Sequence, residues 1–238
     1  MEIRVSPPRL AGALMASATF LTVVYVLNRV GERVTRLAVF RFLGPVVSLE
    51  TDSSLPTWYA ALTLALCAGL LALIARAKFS ARDKFLRHWA GLALLFTAMS
   101  VDEVARLHET LGEVLRVEVT GDLTGYFYHG WVILGIVFVA VVGLIYLPFV
   151  WRLPARTRWL VVAAGTVYVG GALGFELIAA KAAYDALGGL PDRTFVLVVV
   201  QHYLEMLGVA LFAYALADYA VQAVGPIAMR FVAGQRER

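Results

Sequence analysis

Apolar residues along this chain fall in long, nearly unbroken runs, with neither the strict alternation of a half-buried strand nor the one-sided stripe of a surface helix. Six of these runs approach or exceed the roughly 20 residues that carry a helix through a hydrocarbon core about 30 Å thick. They predict spans at 10–29, 57–76, 85–103, 128–151, 158–181 and 194–217. The ~10-residue alternating segments of a membrane barrel are missing. The expected fold is therefore all-α, a polytopic membrane bundle of six transmembrane helices. Because every connection is short, residues 1–238 are expected to form a single transmembrane domain.

The span ends carry signals of their own. All five tryptophans, Trp58, Trp89, Trp131, Trp151 and Trp159, fall near proposed ends, where an amphipathic ring sits between lipid and water. The first span follows Arg4 and Arg9 as a signal peptide would, yet no small-residue cleavage site follows its apolar run, which predicts an uncleaved span. The longest connection, 30–56, contains ERVTRLAVFRFLG, whose basic and aromatic residues suit a helix anchored in the headgroup plane. It ends in SLETDSSLPTW, where Ser53 or Ser54 can cap the second span and Pro56 fits its first turn. The absence of an internal repeat gives no support to a transporter built from two similar halves.

Composition agrees with a lipid environment: 61% of residues are hydrophobic, 16% are charged and the mean hydropathy is +0.77. The single cysteine, Cys67, lies inside an apolar run, which excludes an intramolecular disulfide and a cysteine-based metal cage. There is no P-loop, dinucleotide glycine pattern or zinc-finger spacing, so a pI near 9.3 is not a nucleic-acid footprint and no nucleic-acid partner is expected. Positive loops stay cytoplasmic. Segments 1–9, 76–87, 152–158 and 230–238 hold 13 of the Lys and Arg residues, against 8 in 29–41, 106–116 and 181–193. Both termini are therefore expected on the cytoplasmic side. Acids divide the opposite way, with 13 of 17 in the outer half or outer loops, so polar chemistry should face outward.

An ionisable residue within a span is rare enough to be a functional hypothesis. The candidates come from MSVDEVARLHETLGEV, GFELIAAK and VVQHYLEMLG. On a continuous helix Asp102, Arg106, Glu109 and Glu113 form one self-compensated stripe opposite Val104, Leu107, Leu111 and Val114, and Glu103 falls on the apolar side. His108 lies about 140° round from Glu103, too far to share one ion with it from a regular helix. Glu176 sits among Ala172, Ala179, Ala180 and Ala183, small residues that admit a neighbouring helix, so it should point into the bundle. Gly170 and Gly174 form a small-residue packing pair on another face. His202 and Glu205, three apart, can converge on one point. His88 and His129 read as interfacial side chains. At ~1.5 Å of rise per residue, Glu103 and Glu176 stand ~27 Å above the inner helix ends, His202 ~24 Å and Glu205 ~20 Å.

SLETDSSLPTWYAALTLAL, SVDEVARLHETLG and YLEMLGVALFAYAL together resemble a family of bacterial six-helix multi-pass membrane proteins of no assigned function. The pattern is an LPTW segment, a DE…HE helix end and a late LEM-G helix. The resemblance implies one six-helix unit in the bacterial inner membrane and no particular activity. The family carries further acids just before LEM-G, where this chain has Gln201 and His202. Three functions fit the residues. The first is a metal site, with Glu103, Glu176, His202 and Glu205 holding zinc or iron in the outer half. The second is a non-catalytic accessory or assembly subunit held by partner membrane subunits or by further copies of itself. The third is a proton- or ion-coupled transporter. No catalytic or cofactor-binding residue is assigned from sequence.

Overall fold

The computed structural model describes residues 2–4, 6–51, 53–186, 192–224 and 228–230. Arg236 and Arg238, counted above toward the cytoplasmic side, lie outside the described residues. Among those described the chain is helical, apart from a short antiparallel pairing of β1 (Glu2–Arg4) with β2 (Ala228–Arg230). The helices are α1 (Pro7–Thr35), α2 (Ala38–Val47), α3 (Leu55–Ser80), α4 (Leu86–Ala105), α5 (Leu107–Leu115), α6 (Trp131–Val150), α7 (Ala155–Val169), α8 (Glu176–Ala186) and α9 (Asp192–Val224). Five segments are long and apolar enough to cross a membrane: α1, α3, α6, the continuous α7–α8 stretch and α9. α4 packs along α3, but Asp102 and Glu103 interrupt its apolar run near the C-terminal end. We call the end bearing the β1–β2 pair the lower end and the opposite end the upper.

Local chemistry sets several of these boundaries. Ser54 caps α3 by accepting from the Thr57 N–H at 3.2 Å, with Pro56 in the first turn. α2 occupies the predicted headgroup segment, with Val39, Leu43, Val46 and above all Phe42 exposed. Trp58, Trp151 and Trp159 are about half exposed at helix ends. Trp89 corrects the interfacial expectation. It is only 2% exposed, stacked on Tyr219 at 4.9 Å and edge-on to Phe149 at 5.0 Å, because the start of α4 is covered by α6 and α9.

Those rings belong to the main packed core, which fills the lower half with Cys67, Leu71, Ile74, Phe149, Ala213, Leu216 and Ala217. Ala210, Ala213, Ala217 and Ala220 of α9 are all but inaccessible, and their small side chains let α3 and α7 approach closely. In lipid that closeness replaces the hydrophobic effect as the source of helix association.

Two irregularities overturn the regular-helix reading of the upper half. Arg106 adopts the left-handed conformation (φ 55°, ψ 39°), so α4 and α5 are separate helices and the stripe running from Asp102 to Glu113 does not form. Arg106 still pairs with Glu109, and Glu113 turns to Arg116. Between α7 and α8 the backbone opens into a π-helical turn over Gly170–Phe175. The close approach here belongs to Gly171, where an added Cβ would lie 2.9 Å from the Gln201 carbonyl oxygen. Gly170 and Gly174 face open space, so they are not the packing pair that their spacing suggested.

Candidate functional site

The π-helical turn sets the position of Glu176, the first residue of α8. Its side chain points into the bundle, and the residue is 7% exposed beside the buried Ala179 and Ala180. Both carboxylate oxygens are engaged. His129 Nδ1 bonds Oε1 at 2.6 Å, and Gln201 Nε2 donates to Oε2 at 2.7 Å. Such a buried, fully bonded carboxylate is held by donors on two other segments, the turn before α6 and the first third of α9. Gln201 therefore has a physical reason to be an amide: a carboxylate there would face Glu176 at hydrogen-bond distance with like charge.

The break at Arg106 creates a second pair. Asp102 Oδ1 accepts from the His108 backbone N–H at 2.8 Å, capping the first turn of α5, and Oδ2 meets His108 Nδ1 at 2.7 Å. The ring of His108 stands edge-on to Trp131 at 4.9 Å. His202 and Glu205 form a third pair on α9, with Nδ1 and Oε2 3.4 Å apart. Glu103 stands among these pairs, within electrostatic reach of His202, Glu205, His108 and Asp102.

All four residues singled out from sequence, Glu103, Glu176, His202 and Glu205, line one cavity of about 660 Å³ in the upper half. Asp102, His108, Glu109 and His129 line it as well. Its floor is Leu64, Tyr168 and Val209, directly above the lower core. A second hollow of about 740 Å³ lies beyond it at the upper end and shares Glu109, His129, Trp131 and Glu176 with it. The cavity is therefore bordered by carboxylates and imidazoles above and by apolar side chains below.

Two imidazoles lie outside the spanning helices, and both are biased toward the charged form. The Glu176 hydrogen bond raises His129 above the ordinary 6.5, against the opposing effect of burial. Burial lowers His108, but the hydrogen bond and charge of Asp102 more than offset it, so this group too stands above 6.5.

Among the described residues no three His, Cys, Asp or Glu side chains stand close enough to hold a metal ion. Instead the groups are arranged as carboxylate–imidazole pairs. His129, expected to be an interfacial side chain, is a member of one of them. Its place at the start of the predicted 128–151 span, the end that faces the level of Glu176, is the signal that the sequence offers. The Asp102–His108 pair left no such trace, since six residues on an unbroken helix put the two side chains about 120° of azimuth and two turns apart.

A family model described as a domain of unknown function (DUF8692) matches residues 14–219 of the chain. No curated protein and no solved structure matches it.

Proposed function

The chain belongs to the DUF8692 family, and we propose that it is a six-span inner-membrane protein, both termini cytoplasmic, whose outer-half cavity is an acid–base binding site. Glu103, Glu176, His202 and Glu205, with His108 and His129, carry that site. The observation behind this reading is convergence: three spanning elements deliver four ionisable side chains to a single cavity, where each imidazole is paired with a carboxylate. Paired groups of this kind accept and return protons at a bound ligand. The six-span reading counts α4 with the five more apolar spans, and adjacency of the first and last strands fits an even number of crossings. The excess of Lys and Arg near the lower end supports a cytoplasmic position for it.

The apolar lower core argues against a transporter, because a proton or ion leaving the cavity downward would meet Leu71, Ile74, Trp89 and Phe149 rather than a polar path. The test is labelling with dicyclohexylcarbodiimide, which modifies carboxyl groups in apolar surroundings, mapped by mass spectrometry on protein in its membrane. Adducts on Glu103 or Glu205 are expected. Absence of adducts on every cavity carboxyl group would contradict the reading.

A bound zinc or iron ion is the second reading, favoured by one feature. His108, His129 and His202 all use Nδ1 toward their carboxylates, the way second-shell acids orient metal-bound histidines, leaving Nε2 as the atom that would ligate. A metal would have to draw the pairs closer together than they stand. Elemental analysis of the detergent-purified chain against a Glu103, Glu176 and His202 triple substitution decides this. Stoichiometric metal present in the wild type and lost in the variant would establish it.

A further inference from the structure

Aromatic contacts join α4 to α6 near the lower end. There His88 and Trp89 pack on Phe149 at 5.1 and 5.0 Å. At the upper end α6 is held instead by α5, whose Gly112 lies against the backbone of Trp131 so closely that a Cβ would come within 2.6 Å of its nitrogen. Between these contacts the two helices leave a gap. Leu95, Ala98 and Met99 of α4 form one side, and Leu134, Phe138 and Val139 of α6 the other, and all six line the cavity. Ala98 and Phe138 are at the same time exposed. The cavity thus reaches the lipid sideways through an apolar window, while its polar end meets the upper hollow through His129 and Glu176.

Charge defines what the polar end would accept. The cavity is lined by the carboxyl groups of Glu50, Asp102, Glu103, Glu109, Glu176 and Glu205, against one guanidinium, Arg106, and the three imidazoles. Six carboxyl groups thus face four groups able to carry positive charge, so acidic groups dominate the lining. An anionic head would add like charge in a poorly hydrated space, whereas a cation is drawn in. A volume of about 660 Å³ falls in the range that takes one ligand of drug size, and so a single chain rather than a two-chain lipid.

We propose that this cavity binds a single-chain amphiphile with a cationic amine head, which enters from the bilayer between α4 and α6 and places its head among the carboxylate–imidazole pairs. This assignment of ligand class rests on the acid–base reading of the same site. The apolar window receives the tail, the pairs receive the ammonium group and its protons, and the upper hollow supplies water to the head.

The test is photocross-linking of the full chain in phosphatidylcholine vesicles, with a diazirine-bearing long-chain alkylamine and a fatty acid of the same tail as probes. Adducts are mapped by mass spectrometry. The amine is expected to label Ala98, Met99, Leu134 or Phe138, to be displaced by unlabelled alkylamine, and to exceed the fatty acid by about tenfold or more, because like-charge juxtaposition costs more than the energy of a tenfold change in affinity. Ala98→Trp, which fills the window, should abolish labelling while leaving the unfolding temperature unchanged. Equal labelling by both probes would overturn the proposal. Labelling by neither, with the cavity carboxyl groups still reactive to carbodiimide, would overturn it too and leave the acid–base site standing. Loss of carbodiimide reactivity as well would sink both.

Discussion

The same helices behave differently in the two halves of the bundle. Below, α3, α4, α6 and α9 close on one another through alanines and interlocking rings, with Trp89 stacked on Tyr219 at 4.9 Å and edge-on to Phe149 at 5.0 Å. Above, α4 ends in a left-handed break, α7–α8 widens into a π-helical turn, and α6 stands apart from α4 around a cavity of about 660 Å³. Among the described residues the carboxylate–imidazole pairs all belong to the upper half, while the lower end carries the Lys78–Asp83 ion pair. The lesson is that regular packing and chemical equipment exclude each other here. Backbone irregularities aim His108 and Glu176 at the cavity, and the cohesion lost there is supplied by the lower core. π-helical turns recur at functional sites.

That contrast can be broken most forcefully from below. Trp89→Ala should destabilise the chain by about 3–5 kcal/mol, the usual cost of emptying a large aromatic site, read as a lowered unfolding temperature in detergent. In the upper half Glu103→Gln should leave that temperature nearly unchanged while abolishing carbodiimide labelling at the position. A comparable loss of stability in both variants would erase the distinction between the halves.

Gly171→Ala comes next. Its Cβ must displace the Gln201 carbonyl and with it α9, at a cost of about 1–3 kcal/mol. Gly170→Ala and Gly174→Ala, whose Cβ atoms meet open space, are the controls and should cost nothing measurable or stabilise slightly. Melting curves of the three variants separate the π-helical turn from ordinary glycine packing. Gln201→Leu should then cost about 1–3 kcal/mol by leaving one oxygen of Glu176 without its donor.

The smallest effect is a pH dependence at His108. Its value in the folded chain lies above the ordinary 6.5, so the Asp102–His108 pair contributes stability that is fully present below pH 6.5 and fades as pH rises through the folded value. His108→Gln should flatten that segment of the stability profile. Trp131 reports the same event, since a protonated imidazole 4.9 Å from the indole quenches its emission. Its fluorescence should rise with pH in the wild type and stay level in the variant.

Much of the architecture is legible in the sequence because lipid imposes simple rules. Apolar runs of sufficient length become α1, α3, α6, α7–α8 and α9, and Ser54 with Pro56 starts α3 where capping chemistry requires. The depths of Glu103, Glu176, His202 and Glu205 also follow from counting residues, and all four line one cavity. What hid the rest was the assumption of regular helices. A left-handed Arg106 carries no glycine or proline to announce it, so helical periodicity puts Asp102 on a stripe with Arg106 whereas it turns to His108. Trp89 and His129 depart from the interfacial expectation for one reason. Position near a span end says nothing about whether neighbouring helices cover that end, and here α6 covers Trp89 while Glu176 reaches His129.

Accessibility on the two sides of the cavity floor tests the central claim most directly. Cysteine is placed at Ala172, which lines the cavity, and in a second variant at Ala213, which is fully buried in the lower core. Both are exposed, in vesicles, to a small membrane-impermeant thiol reagent from the outer side, with the buried Cys67 as a silent background. Rapid modification of Ala172→Cys and none of Ala213→Cys is the predicted result. Equal reaction at both positions, or reaction at Ala213→Cys alone, would contradict an open, chemically equipped upper half resting on a sealed lower one.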